Sequence, residues 1–259
     1  MFRKLLQDEE FEPIGLVRSE ESKKALVDSG IDASNIKVVD VTDNEAVQAA
    51  LKNLDIQAMC ICTSAKPAPT SDVDPETGRP IFNFPNGDPE LVDWQGQKNQ
   101  MDACPPGAHI VLCSTMGGTN PNHPLNNLGR TFHEDGTSSG GNIVKWKRKA
   151  EVYLMENHQW KYTIVHPGGL VNEPGGRREL VVGVDDDMGK TESRTVPRED
   201  VAQVMMEALR YPNKYAGRSF DLRADSKEDG DTSSANTNYE TLLDSLEGKN
   251  CDYALGEIM

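Results

Sequence analysis

Apolar positions change their period repeatedly along the chain, and each change marks an element. Phe2, Leu5 and Leu6 recur at i, i+3 and i+4, so the chain opens in a short amphipathic helix. Residues 11–17 are a strand candidate closing at Arg18-Ser19, and 20–29 follow as a helix. Ile36-Lys37-Val38-Val39 is a strand stopping at Asp40, 44–54 set Ala46, Val47, Ala50 and Leu51 on one helical face, and 58–63 are a buried strand. Proline, aspartate, glycine and threonine crowd 65–89, which predicts a loop. A helix over 91–103, a strand over 109–113 and a second glycine-rich loop over 115–141 come next. Asn142 is a suitable cap for a helix ending near Glu156. Strands over 162–165, 179–183 and 218–222 surround a helix over 199–209. A polar stretch over 224–237 and a helix over 238–246 end the pattern.

Strands alternate with helices, and several strands are unbroken apolar runs rather than alternating ones. Such runs are buried on both faces, which predicts an α/β fold with a doubly wound parallel sheet, Rossmann-like, under helices on each side. No linker interrupts the pattern before Ala224, so one domain is expected over 1–223 and a polar tail over 224–259.

Composition narrows the class of partner. The 259 residues are 36% hydrophobic and 27% charged, a globular mixture, and no apolar run approaches the length of a membrane span. A net charge of −15 disfavours a phosphate backbone as partner, so neither nucleic acid nor membrane is expected, while a local basic pocket for a small phosphorylated ligand stays compatible with it. The first residues are too polar for a secretory signal, and the cysteines read as reduced core residues, which suits the cytoplasm or a plastid. Cys60, Cys62, Cys104, Cys113 and Cys251 show no C-x-x-C spacing, and no H-x-x-x-H or H-E-x-x-H pattern occurs, so no metal site is expected. The acids Asp185-Asp186-Asp187 fit no calcium loop. Gly136-Thr137-Ser138-Ser139-Gly140 matches G-x-S-x-G, but polar loop precedes it where a nucleophile elbow needs a strand.

In a doubly wound sheet ligands sit at the carboxyl ends of the strands. Those ends are Arg18-Ser19, Asp40-Val41, Thr63-Ser64-Ala65, Ser114-Thr115 and His166-Pro167-Gly168-Gly169. Arg18 stands where an acid would bind a ribose 2′-hydroxyl, and an arginine there suits a 2′-phosphate; the alternative is a solvated arginine closing a strand. Asp40 either accepts a hydrogen bond from an adenine amino group or caps a loop, with Asp43 competing for the capping role. Thr63 and Ser64 either lie against a dinucleotide backbone or serve strand-end turns. Lys147 and Glu151 share a helical face, and the basic run Lys145, Lys147, Arg148, Lys149 has the look of a solvated face.

Several blocks in order carry a resemblance. They are Gly15-Leu16-Val17-Arg18-Ser19, Val92-Asp93-Trp94-Gln95-Gly96-Gln97-Lys98-Asn99-Gln100, Ser114-Thr115-Met116-Gly117-Gly118-Thr119-Asn120-Pro121, Trp146-Lys147-Arg148-Lys149-Ala150-Glu151, Pro167-Gly168-Gly169-Leu170 and Thr195-Val196-Pro197-Arg198-Glu199-Asp200-Val201-Ala202. From about residue 15 to 222 the chain resembles the atypical short-chain dehydrogenase/reductase family, and within it the NmrA-like NAD(P)-binding proteins of plants and algae. The resemblance implies a groove for NADP lined by Arg18, Ser19, Asp40, Val41, Thr63, Ser64 and Ala65, with Pro167, Gly168 and Gly169 at a further strand end. It also implies that Lys147 holds the nicotinamide ribose and that Ser114 or Thr115 polarises a carbonyl. Two departures follow. Ile143 occupies the position of the family's tyrosine, and no Gly-x-x-Gly-x-x-Gly spacing occurs, so the expectation is a chain lacking the family's first strand and phosphate loop. Residues 130–140 look like a loop insertion with no assigned role. The leading expectation is an NADP(H)-dependent oxidoreductase acting on a small carbonyl; the competing ones are a non-catalytic NADP(H) sensor and a fragment that binds nothing.

Overall fold

The computed structural model describes residues 1–73, 78, 80–133, 135–187, 192–226 and 234–256. In chain order the elements are α1 (Phe2–Leu6), β1 (Gly15–Val17), α2 (Glu20–Asp28), β2 (Ile36–Val38), α3 (Asn44–Leu51), β3 (Ala58–Ile61), β4 (Ala68–Val73) and β5 (Pro80–Asn83). Wide π-type turns over Glu90–Gly96 run into α4 (Gln97–Asp102). Then come β6 (His109–Cys113), β7 (Arg130–Phe132), β8 (Ser138–Gly140), α5 (Ile143–Glu156), β9 (Lys161–Pro167), β10 (Gly169–Val171), β11 (Leu180–Gly183), β12 (Thr195–Pro197), α6 (Arg198–Arg210), α7 (Pro212–Tyr215) and β13 (Arg218–Ala224).

The fold is Rossmann-like α/β with a mostly parallel central sheet of order β11-β13-β9-β6-β3, in which only β11 runs antiparallel. Successive strand side chains face opposite ways, and the core divides accordingly. Val111, Val165, Phe220 and Leu222 point to one face, where Val201, Val204, Met205 and Ala208 of α6 cover them. Ile61, Ile110, Leu112 and Ile164 point to the other, where Met101 of α4 and Ala150 and Leu154 of α5 cover them. Helices on both faces are why these strands carry continuous apolar runs. The parallel pair β1–β2 forms its own small sheet, and its neighbourhood has a separate cluster of Val39, Val41, Val47 and Leu51.

Several elements differ from expectation. Within the predicted loop 65–89, β4 and β5 form an antiparallel hairpin, and β7 pairs with β8 inside the second loop. The G-x-S-x-G match therefore lies in a hairpin, not at a strand-to-helix elbow. Asn142 does not cap α5: it sits at φ 59° and makes no side-chain cap bond. Asn126, buried in the preceding loop, replaces it, its Oδ1 accepting from Val144 N at 2.9 Å and Lys145 N at 3.4 Å. The helix expected over 238–246 is instead turns and a 3-10 turn at Asp244–Leu246, with Leu243 and Leu246 at the three-residue spacing that turn requires. Both leucines are buried against the sheet, and Tyr215 Oη donates to Tyr239 O at 2.6 Å, so this segment is packed.

Candidate functional site

The carboxyl ends of the parallel strands are tied together by the helical segment 90–102. Asn99 Nδ2 donates to Val41 O at 2.9 Å, beyond β2. Gln97 Nε2 donates to Thr63 O at 2.8 Å and Gln100 Nε2 to Thr63 Oγ1 at 2.9 Å, beyond β3. Asp93, fully buried one helical turn earlier, accepts from Ala65 N at 3.0 Å. The other Asp93 oxygen meets Lys147 Nζ of α5 at 2.7 Å. One buried polar ladder thus holds Val41, Thr63, Ala65 and Lys147 in a single site. Burial works against the charge on Lys147, yet Asp93 beside it outweighs that and holds the ammonium above its ordinary value.

The other candidates lie at or near this ladder. Arg18, exposed beyond β1, grips Asn86 through both arms of its fork, Nη1 on the backbone oxygen and Nη2 on Oδ1, each at 2.6 Å. Ser19 caps α2 by accepting from Ser22 N at 3.2 Å. Asp40 Oδ1 accepts from Thr42 N and Thr42 Oγ1, a loop-stabilising turn, while Asp43 caps α3. Ser64 is exposed with a weak contact to its neighbour's carbonyl. Thr115 Oγ1 donates to Met116 O at 3.1 Å. Pro167 O accepts from Met116 N, Gly168 N donates to Leu222 O, and Gly169 N donates to Arg194 O. A Cβ on Gly168 would stand 2.6 Å from Arg194 O, so only glycine allows the two backbones to approach this closely.

A second buried network occupies the face of the sheet under α5. Side-chain parity puts Ser114 beyond β6, His166 of β9 and Asp221 of β13 on this face, since their chain neighbours Cys113, Val165, Phe220 and Leu222 all pack on the α6 side. Glu151 of α5 stands over them. Its Oε1 accepts a very short hydrogen bond from Ser114 Oγ, and its Oε2 lies 3.1 Å from His166 Nε2. Burial opposes both charges, but Glu151 holds the His166 imidazole well above its ordinary value, and His166, Ser114 and Arg148 hold the Glu151 carboxyl below its own. Ser114 has therefore committed its proton to Glu151, whereas the Thr115 hydroxyl is only half-buried and bonds a neighbouring carbonyl.

The basic run is not a solvated face. Lys147 and Arg148 are buried, and Arg148 Nη2 donates to Asp252 O at 2.7 Å and Leu255 O at 2.9 Å while its guanidinium covers the Tyr253 ring at 4.0 Å. The acidic run has a structural use as well. Asp186, at φ 61°, accepts from Gly117 N at 2.6 Å, Thr119 N at 2.9 Å and Thr119 Oγ1 at 2.6 Å, which fixes the loop after β6. Ile143 is buried with Ala65, Val92 and Val144 in an apolar cluster and offers no proton. Asp93, Asp221 and Cys251 escaped the sequence reading as functional residues. For Asp93 a signal existed: Asp93, Gln97 and Gln100 share a helical face inside the block Asp93-Trp94-Gln95-Gly96-Gln97-Lys98-Asn99-Gln100.

Known proteins agree with this architecture. The model of a family described as NAD(P)H-binding matches residues 1–212. The chain belongs to this NAD(P)H-binding family. An uncharacterised chloroplastic protein of Arabidopsis thaliana is 44% identical over 214 residues, covering 81% of this chain, and the chain spans 61% of that relative's length. Sanguinarine reductase of Eschscholzia californica is 39% identical over 243 residues, covering 85% of this chain and 82% of the reductase. Among solved structures, an NAD-dependent epimerase/dehydratase candidate from Bacillus halodurans matches with a TM-score of 0.58 at 20% identity, over 90% of this chain and 87% of that one. The oxidoreductase ylbE of Lactococcus lactis matches with a TM-score of 0.57 at 17% identity, over 96% and 91%. At these identities the structures establish the shared fold of the NAD(P)H-binding family and no more.

Proposed function

We propose that the chain is an NADP(H)-dependent oxidoreductase of the atypical short-chain dehydrogenase/reductase type, reducing a small carbonyl or similar group. The observation that carries this reading is the buried ladder Asn99–Gln97–Gln100–Asp93–Lys147, which brings the ends of two strands and a charged lysine into one site. The donor set fits the cofactor. The Arg18 fork already binds two oxygens side by side, the same demand a 2′-phosphate makes. With its ribose held by Lys147, a bound nicotinamide would supply or take the hydride. Lys147 holds the neighbouring ribose, Thr115 polarises the substrate oxygen, and Ser114, locked to Glu151, shapes the wall beside it. The reductase relative supports the direction of chemistry, and the chloroplastic relative supports placement in the plastid.

A second reading is favoured by Ile143, which puts an apolar side chain where a proton donor would act. On this reading the chain binds NADP(H) as a sensor without turnover. Calorimetric titration with NADPH and NADH, followed by NADPH oxidation over a panel of carbonyl compounds, separates the two. The expected result is saturable binding that prefers NADPH, with Arg18→Gln raising the NADPH Kd about 10- to 100-fold and leaving NADH unchanged, as loss of charged hydrogen bonds requires. Binding without reduction of any carbonyl moves the assignment to the sensor. A folded chain that binds neither dinucleotide sinks both.

A further inference from the structure

Three donors of different chemistry converge at the centre of the buried network, on the side away from Glu151. His166 Nδ1 lies 3.4 Å from Asp221 Oδ1. Cys251 Sγ lies 3.4 Å from His166 Nδ1 and 3.8 Å from Asp221 Oδ1. All three residues are buried, at 3%, 2% and 7% exposure. They come from β9, β13 and the segment beyond β13 that returns to the sheet, so no spacing in the sequence announces them.

Long sulfur hydrogen bonds and one long ion pair connect this cluster. A charged imidazole bonded to a carboxylate closes to about 2.7–2.9 Å, well inside the separation found here. A tetrahedral zinc ion accounts for the same distances well. Bond lengths of about 2.0–2.2 Å to nitrogen and oxygen and about 2.3 Å to sulfur set ligand–ligand edges of roughly 3.4 Å for N–O and roughly 3.6 Å for the two edges to sulfur.

The remaining atoms of each residue are already anchored, which is how metal ligands are held in place. His166 Nε2 faces Glu151 Oε2, a carboxylate–histidine pair that turns Nδ1 toward Asp221 and Cys251. Asp221 Oδ2 accepts from Asp186 N at 2.7 Å, which leaves Oδ1. Cys251 is fixed through its backbone N, which reaches Ser219 O and Ser219 Oγ at 3.2 Å each. Once the metal displaces the Nδ1 proton and the thiol proton, a thiolate, a carboxylate and a neutral imidazole together neutralise a divalent cation in a site with little water to do so. We propose that His166 Nδ1, Asp221 Oδ1 and Cys251 Sγ bind one zinc ion, which clasps the end of the chain to the sheet and, through His166, fixes Glu151 and Ser114.

The test uses the whole chain, stripped with a chelator at neutral pH and shown by circular dichroism to be folded. Zinc(II) is titrated against a competing indicator, and cobalt(II) is added in parallel and followed by absorption. One equivalent of zinc bound with a Kd tighter than about 1 μM is expected. Cobalt is expected to give visible tetrahedral bands and a near-ultraviolet thiolate charge-transfer band. Cys251→Ser abolishes the charge-transfer band, and Glu151→Gln, a change outside the three ligands, weakens zinc about 10- to 100-fold. A folded wild-type chain that takes up no stoichiometric zinc, or whose cobalt complex shows no thiolate band, overturns the proposal. So does a Cys251→Ser chain that binds zinc as tightly as wild type. Should the variants fail to fold, the wild-type cobalt spectrum decides alone.

Discussion

The pair of Asp93 and Lys147 is the most exacting test of the buried ladder. Both side chains are almost wholly removed from water, at 0% and 7% exposure, and their charges meet at 2.7 Å. Asp93→Asn keeps the shape and can still accept from Ala65 N, but it turns an amide donor or a neutral oxygen toward a buried ammonium. Leaving one charge of a buried pair uncompensated costs about 3–5 kcal/mol. In a domain of this size that lowers Tm by roughly 6–20 °C, at about 2–4 °C per kcal/mol. Replacing both partners, as Asp93→Asn with Lys147→Met, removes the stranded charge and recovers most of the loss. Urea unfolding of wild type, both single variants and the double variant measures this as a coupling energy. The pH dependence has a definite sign. Lys147 has a folded pKa raised above its unfolded value near 10.5, so its contribution is fully present below that value and is lost as pH rises through the folded pKa. The wild-type pair should therefore contribute equally from pH 7 to 9, while Asp93→Asn should regain stability toward pH 9 as the stranded Lys147 gives up its proton. A double variant whose destabilisation equals the sum of the singles would refute the ladder as a coupled unit.

Two further predictions concern the scaffold. His109 is buried against Thr163, whose hydroxyl donates to Tyr215 O at 2.7 Å and so accepts from His109 Nε2 at 2.9 Å; burial first, and Lys161 second, push its pKa down to about 4. A depressed histidine favours its neutral form in the folded state, so its stability contribution is present above the unfolded pKa near 6.5 and is lost as pH falls toward 4. The loss is roughly 3 kcal/mol over that window, and His109→Gln should flatten the slope of unfolding free energy against pH there by about one proton; an unchanged slope is the contrary result. Asn126→Ala removes the remote cap of α5, whose first turn places Lys147, and should cost about 1–2 kcal/mol in urea unfolding while raising the NADPH Kd; stability equal to wild type rejects the cap.

How much of this was legible depends on what each residue's partners are. The strand His109–Cys113 and the helix Glu20–Asp28 were readable because their signals are local: a short apolar run in one, an N-cap serine with acids in the first turn in the other. The hairpin of Ala68–Val73 with Pro80–Asn83 was not, because Val73 and Ile81 are exposed and nothing buried imposes an alternating pattern on a segment rich in turn residues. Arg18, Thr63 and Ser114 were nominated because strand ends are where a parallel sheet presents ligand-binding groups, whereas Lys147, on a helix, was nominated by the family resemblance alone. What strand ends cannot reveal is which groups the fold turns inward.

Asp221 illustrates the signal that does remain. It interrupts the apolar residues of Arg218–Ala224, between Phe220 and Leu222, in a strand covered on both faces. A carboxylate in that position is intolerable unless something opposite compensates it. The same reasoning applies to His166 at the end of the apolar run Thr163–Val165, and to Glu151 between Ala150 and Leu154 on the inward face of α5. Three polar side chains set into three apolar patterns predict one another, because each needs a buried partner and the parity of the strands leaves only one face on which to find it. The fourth member, Cys251, carries no such mark, since it reaches the cluster by the return of the chain end to Ser219 and not by any period of its own. The site is therefore readable as a conflict between polarity and burial before it is readable as chemistry, and the ligand that resolves the conflict is what the cobalt spectrum reports.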